Sequence, residues 1–372
     1  MSIISVPTFF IDALALVPNN DDIDSLLLED DSSVLSLKEQ TECINYDDSY
    51  FLISSSHINI AGKLFTFYTP SADRFFERYV SKSSNQLPEN SQGGTSYIVP
   101  CLLKGSLRQC VYKRTFCAPI DGTSHLEYVG ANMLRKEAAI LNALSKQPDA
   151  FEMQYIVQYI HSGVTVDRVP YILLERLDGG TLADTVPDVR GLESSKVVEY
   201  SKQLLFAVRY IGKLGIFHQD LKQNNVMFVD NTRKHLKIID FDSASGHSGI
   251  AATYDECQQP KLEHSSGSIN VKAPEYFMDD KNITTKSDLW SVGLLILQMT
   301  IGTNNHSVFI ECIYDSNKIN LLDQSFITCE LDKIFSQYIT PSYIESTIRG
   351  LLLVDSKARF SANQALQSLS RL

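Results

Sequence analysis

The chain has 372 residues, 44% of them apolar and seven of them cysteine, with a formal net charge of -11; that length and apolar content exclude wholesale disorder and allow two or three globular units. The charge sits at the front, where residues 1 to 50 carry 11 acidic residues against one basic, Lys38, while the rest holds 33 against 32, and no basic cluster supplies a nucleic-acid footprint. The longest apolar stretch, around Val292 to Met299, is too short to span a bilayer, no Lys or Arg precedes Lys38 to begin a Sec-type signal, and the odd, scattered cysteines without a CxxC pair suit a reducing, cytoplasmic compartment.

In chain order, "NNDDIDSLLLEDDSS" reads as a solvated, flexible segment or as an interaction or regulatory arm. Residues 50 to 80 mix β-type residues with a short amphipathic helix and suit an extra layer packed on the domain C-terminal to them. "SKSSNQLPENSQGG" is a loop by its Ser, Asn, Pro and Gly content. "TSYIVPCLLKGSLRQCVYKRTF" then predicts two strands joined at Lys104-Gly105-Ser106. A helix is predicted over "GANMLRKEAAILNALSKQ", where Met133, Leu134, Ala138, Leu141 and Leu144 recur at helical spacing. Two strand-like runs come next, "YIVQYIHSG" and "VPYILLERL", ended by Asp178-Gly179-Gly180. From "SSKVVEYSKQLLFAVRYIGKLG" onward the chain turns mainly helical. A small β-rich lobe therefore precedes a larger helical one.

Just past that junction stands "GIFHQDLKQNN", residues Gly215 to Asn225, and fifteen residues beyond Asn225 the run "LKIIDFDSAS" places Asp240. These residue types suit phosphoryl transfer. Asp220 would accept or orient the proton of an attacking hydroxyl, and Lys222 would neutralise charge building on the transferred group. Asn225 and Asp240 would supply hard oxygen ligands to Mg²⁺.

The pairing of His-x-Asp-Leu-Lys-x-x-Asn with a later apolar-Asp-Phe resembles the signature of eukaryotic-type protein kinases, and the resemblance continues in order from about residue 90 to 372. It implies an α+β, two-lobed fold with a small β-rich N-lobe and a larger, mainly helical C-lobe. "CVYK" looks like the strand whose lysine, Lys113, holds the α- and β-phosphates of ATP, with Glu137 as its ion-pair partner. "ILLERLDGG" is similar to the linker between lobes; backbone groups of Glu175 and Leu177 would bond adenine, with Leu174 behind it. Val99, Val111 and Met227 would sandwich the ring, and Gly93 and Gly94 would belong to the loop over the phosphates. His218 would pack with Phe241 in the column linking the lobes. "KAPEYF" and "KSDLWSVG" resemble the end of the activation segment and the helix whose Asp288 braces the catalytic loop, with Arg359 placed to pair with Glu275. Lys222 and Ser268 match the Ser/Thr-directed subgroup, Ser268 being placed to bond both Asp220 and Lys222.

The resemblance implies an ATP- and Mg-dependent serine/threonine protein kinase acting on protein substrates, with an acidic extension over residues 1–85 and a kinase domain over 86–372, divided into an N-lobe to about 176 and a C-lobe from about 177. Three motifs depart from the family. "QGGTSYIV" has Gln92 and Tyr97 where glycines should stand, Asp242 replaces the glycine of Asp-Phe-Gly, and Gln219 replaces the arginine before the catalytic aspartate. That arginine reads an activation-loop phosphate, which a glutamine cannot do. A pseudokinase scaffold and a small-molecule or lipid kinase are the alternatives. The sequence leaves the substrate, the oligomeric state and any delivery into a host cell open.

Overall fold

A computed structural model describes residues 56–60, 63–67, 80–82, 96–103, 109–115, 125–145, 150–164, 170–246, 267–278, 283–314 and 320–370. Strands β1 (Ser56–Ile60) and β2 (Lys63–Phe67) pair as a small sheet of their own. The short helix read into residues 50 to 80 and the tip of the predicted hairpin, residues 104–108, lie outside the described residues.

Chain contacts divide the protein into two compact units, the first running through the β-rich segment as far as Ala138 and over Tyr159–Arg176, the second holding most of the rest. The first unit is organised by a five-stranded antiparallel sheet in the order β3 (Val80–Lys82), β4 (Ser96–Leu103), β5 (Gln109–Thr115), β7 (Pro170–Glu175), β6 (Tyr159–Val164). Ser81 and Lys82, expected in a loop, extend this sheet by pairing with Leu102 and Cys101. The β4–β5 hairpin forms as predicted, with Cys101 directly opposite Cys110.

Register decides which side chains share a face, since partners across a ladder point the same way. Cys101, Cys110, Tyr112, Tyr171 and Leu173 form one buried apolar cluster, against which Val99 and Ile160 pack. The two thiols approach to 3.2 Å; that contact with Cys110, together with burial, pushes the Cys101 thiol far above the ordinary range. On the opposite face of β5 stand Val111 and Lys113.

Helix α1 (His125–Ser145) buries Leu134, Ala138, Leu141 and Leu144, as the periodicity predicted. It starts five residues before the predicted Gly130, because a glycine inside a helix costs only about 1 kcal/mol, which tertiary packing overrides. The strand predicted from Tyr155 begins only at Tyr159. Phe151–Tyr155 is a 3-10 turn, and Val157 donates its N–H to the Ile238 carbonyl at 3.0 Å, a contact internal to the second unit.

The second unit is built on α2 (Ser194–Lys213) and α3 (Thr285–Ile301). Helix α2 is amphipathic, whereas α3 is buried on every side from Ser287 to Met299, as befits a helix that is apolar all round. It starts in a capping box between Thr284 and Ser287, and ends at Gly302, whose φ of +87° suits a residue without Cβ. Around them lie α4 (Thr303–Ile313), α5 (Gln324–Gln337), α6 (Ser342–Leu351) and α7 (Ala362–Ser368). Gly293 of α3 lets α6 approach, since a Cβ there would stand 2.9 Å from the Leu351 Cβ. Among the described residues no helix is long and apolar enough to cross a membrane.

Candidate active site

Two short ladders in the second unit present the polar loop. Chain leaves α2 through β8 (Ile216–Phe217), crosses residues 218–225 and continues into β9 (Val226–Phe228), which turns back as β10 (Leu236–Ile238). Residues 239–244 then lead to β11 (Ser245–Gly246), which pairs with β8. Ile239 donates its N–H to the Asn225 carbonyl at 3.0 Å. The two predicted loops are thereby tied side by side.

At the centre is the Asp220 carboxylate, only 4% exposed. Its Oδ2 accepts from the Lys222 ammonium at 2.7 Å and from Asn225 Nδ2 at 3.0 Å, and its Oδ1 accepts from the Ser268 backbone N–H at 2.7 Å. Lys222 Nζ also donates to the Ser268 hydroxyl at 2.8 Å. Ser268 therefore reaches both residues as expected, but it touches Asp220 through its backbone, leaving the hydroxyl for Lys222. Asn225 Nδ2 bonds the Asp220 carbonyl as well, at 2.8 Å; with the amide's donor committed, Oδ1 is left as an acceptor suited to a hard cation. Asp240 sits at φ +66°, a left-handed conformation that Asp tolerates better than most residues.

The loop is held from below. Asp288 on α3 accepts the N–H of His218 at 2.7 Å and of Gln219 at 2.9 Å. Burial pushes the Asp288 carboxyl upward, opposed by His218, these two backbone donors and Lys272. His218 is fully buried, shares a hydrogen bond with the Ile239 carbonyl at 2.9 Å and packs 4.8 Å from the Phe241 ring, a structural role. Gln219 carries φ +65° and donates its side-chain amide to the Ser245 hydroxyl. Glu275 and Arg359 pair as predicted, both buried.

In the first unit, Lys113 of β5 and Glu137 of α1 meet at 2.7 Å, 6% and 0% exposed. Burying both charges costs about as much as their attraction returns, whereas losing either partner would strand the other charge. Val111 and Leu174 are opposite one another in the β5–β7 ladder, on the face of Lys113. Val99 is not: it stands opposite Tyr112, on the side of the cysteine cluster, while Ile98 and Pro100 stand opposite Lys113 and Val111. The family resemblance grouped Val99 with Val111, and the ladder register separates them, since neighbouring residues face opposite ways. Glu175 ends β7 with Leu177 two residues beyond it, and Met227 lies in β9 of the second unit, opposite Lys237. Gly93 and Gly94 lie outside the described residues.

Sequence reasoning assigned no role to Lys272. Its signal was a lysine between apolar positions just before Ala-Pro-Glu; it is 2% exposed and donates to the Gln219 carbonyl at 2.7 Å.

The Protein kinase domain family matches residues 92–369. Among individual relatives, the chain is 30% identical over 157 residues to probable serine/threonine-protein kinase mkcE of Dictyostelium discoideum, covering 41% of this chain and 19% of that protein. It is 29% identical over 239 residues to hormonally up-regulated neu tumor-associated kinase homolog B of Xenopus laevis, covering 64% and 34%, and 28% identical over 184 residues to CBL-interacting serine/threonine-protein kinase 3 of Arabidopsis thaliana, covering 49% and 38%. The matches thus span less than two fifths of each of these relatives.

Proposed function

This chain belongs to the protein kinase family, and from that premise we propose that it is an active serine/threonine protein kinase that uses ATP and Mg²⁺. The observation that carries the reading is the convergence of Lys222, Asn225 and Ser268 on the buried Asp220 carboxylate.

Asp220 orients the attacking hydroxyl and receives its proton. Lys222, within hydrogen-bond reach of that carboxylate, stabilises negative charge on the transferred phosphoryl group. Lys113, held by Glu137, holds the nucleotide's α- and β-phosphates. Asn225 and Asp240 are the residues that would hold Mg²⁺, and their oxygen donors fit a hard divalent cation. When bound, that ion neutralises charge on the phosphates. Leu174, Val111 and Met227 are proposed to line the adenine site, with the backbone of Glu175 and Leu177 at its edge. Preference for Ser or Thr is supported by Lys222 with Ser268 and by relatives whose names include serine/threonine kinase. Protein substrates are supported by the Glu275–Arg359 pair and the Asp288 brace. We place the reaction in the cytoplasm.

Incubation with radiolabelled ATP, Mg²⁺ and a generic basic protein tests this. Label on Ser or Thr that disappears in Asp220→Ala and in Asp240→Ala is the expected result. An unlabelled protein that still binds ATP would indicate a pseudokinase scaffold instead, and label on small molecules alone would indicate the other rival.

A further inference from the structure

Lys272 follows the 3-10 turn Ile269–Val271, and its side chain is sealed inside the second unit. A buried ammonium loses its hydration and persists only where protein groups replace it. Here the replacement includes the Gln219 carbonyl at 2.7 Å and the face of the Tyr276 ring, whose centroid is 4.8 Å from Nζ. That carbonyl belongs to the peptide joining Gln219 to Asp220. The N–H on the other side of Gln219 is taken by Asp288 at 2.9 Å. Gln219 is thus gripped at both ends, by a cation and by an acid from separate segments.

The grip coincides with strain. Gln219 sits at φ +65°, a conformation that a glutamine adopts only under constraint, immediately before the residue whose carboxylate is the centre of the site. Gly267 closes over the contact. A Cβ there would lie 3.0 Å from the Gln219 carbonyl oxygen and 3.1 Å from Lys272 Nζ, and Gly267 itself has φ +94°.

We infer that Lys272 is a positioning residue for phosphoryl transfer: its ammonium locks the Gln219–Asp220 peptide in the left-handed geometry that presents the Asp220 carboxylate to Lys222, Asn225 and Ser268. This rests on the kinase reading above. A methionine would fill the same volume without a donor, leaving the carbonyl unsatisfied and the backbone free to relax toward ordinary φ. Displacement of a reacting group by about 1 Å can cost on the order of 100-fold in rate. The Gln219 carbonyl and the Tyr276 ring that meet this ammonium are not among the proposed nucleotide-holding groups, so the loss should fall on kcat.

The test compares Lys272→Met and Lys272→Arg with the wild-type full chain, measuring kcat, KM for ATP and amide hydrogen exchange over residues 216–225. Lys272→Met is expected to lower kcat by roughly 30-fold or more with KM for ATP within about threefold. Its loop amides should exchange about tenfold faster while those of α3 and α6 stay protected. Lys272→Arg, which keeps a charged donor, should recover most of both losses. The inference is overturned if Lys272→Met leaves kcat and loop exchange within about twofold, if KM rises instead, or if α3 loses protection along with the loop. A wild-type chain without turnover would remove the kinase reading, and the exchange data would still decide whether the lysine holds the loop.

Discussion

Arg359 and Glu275, 84 residues apart in sequence, form a two-pronged ion pair inside the second unit, Nη1 to Oε1 at 2.8 Å and Nη2 to Oε2 at 2.9 Å. The guanidinium also bonds the Leu353 and Lys286 carbonyls, and Ser287 donates its hydroxyl to Glu275 at 2.6 Å, so every element of the pair is satisfied. A buried pair of this kind punishes removal of one partner, which strands the other charge. Arg359→Met and Glu275→Leu should each lower unfolding free energy by about 3–5 kcal/mol in urea denaturation, and the double variant should be less destabilised than the sum of the two.

Ser268 serves two atoms by two routes, its backbone N–H to Asp220 and its hydroxyl to Lys222. Replacing it by alanine removes only the second. Ser268→Ala should therefore fold normally and lose about tenfold in kcat through a looser Lys222, while Ser268→Thr, which keeps the hydroxyl, stays within about threefold of wild type; steady-state kinetics decide this.

Gln219 joins Ser245 through a neutral amide, where the family places an arginine that reads a phosphate. Nothing in that bond needs a charge on the partner. Protein treated exhaustively with phosphatase should keep its turnover within roughly twofold of untreated protein. Activity that vanishes on treatment and returns only with autophosphorylation would contradict this.

His306 of α4 is half-buried, and its Nε2 is buried without a hydrogen-bond partner among the described residues. Burial pushes its pKa down to about 4 from an ordinary 6.5. Between those values the unfolded chain takes up the proton and the folded one does not, so stability is complete above pH 6.5 and is lost as pH falls toward 4. From that depression the loss should reach about 3 kcal/mol below pH 4. Denaturant midpoints at about pH 7 and about pH 4.5 should show a stability advantage of wild type over His306→Gln that shrinks on acidification.

Much of the architecture could be read directly, because local patterns carry it. The hairpin of β4 and β5, the long amphipathic α2 and the core positions of α1 followed from period and spacing, and the ion pairs Lys113–Glu137 and Glu275–Arg359 followed from motif order. Misreadings fell where a local signal was outvoted. Gly130 marked no boundary, Tyr155 ended a 3-10 turn instead of opening a strand, and Ser81 joined a sheet whose pairing partner lies further along the chain.

The amino-acid order alone determined which chemical groups this protein owns and in what succession, since a carboxylate, an amide and an ammonium at set spacing on one loop need no distant partner to be recognised. Folding decided what each of them faces. Val99 turned away from Val111 because strand register is a property of the whole sheet, and Lys272 became a clamp on Gln219 because two segments 53 residues apart were brought together around a buried charge that their contact helps to satisfy.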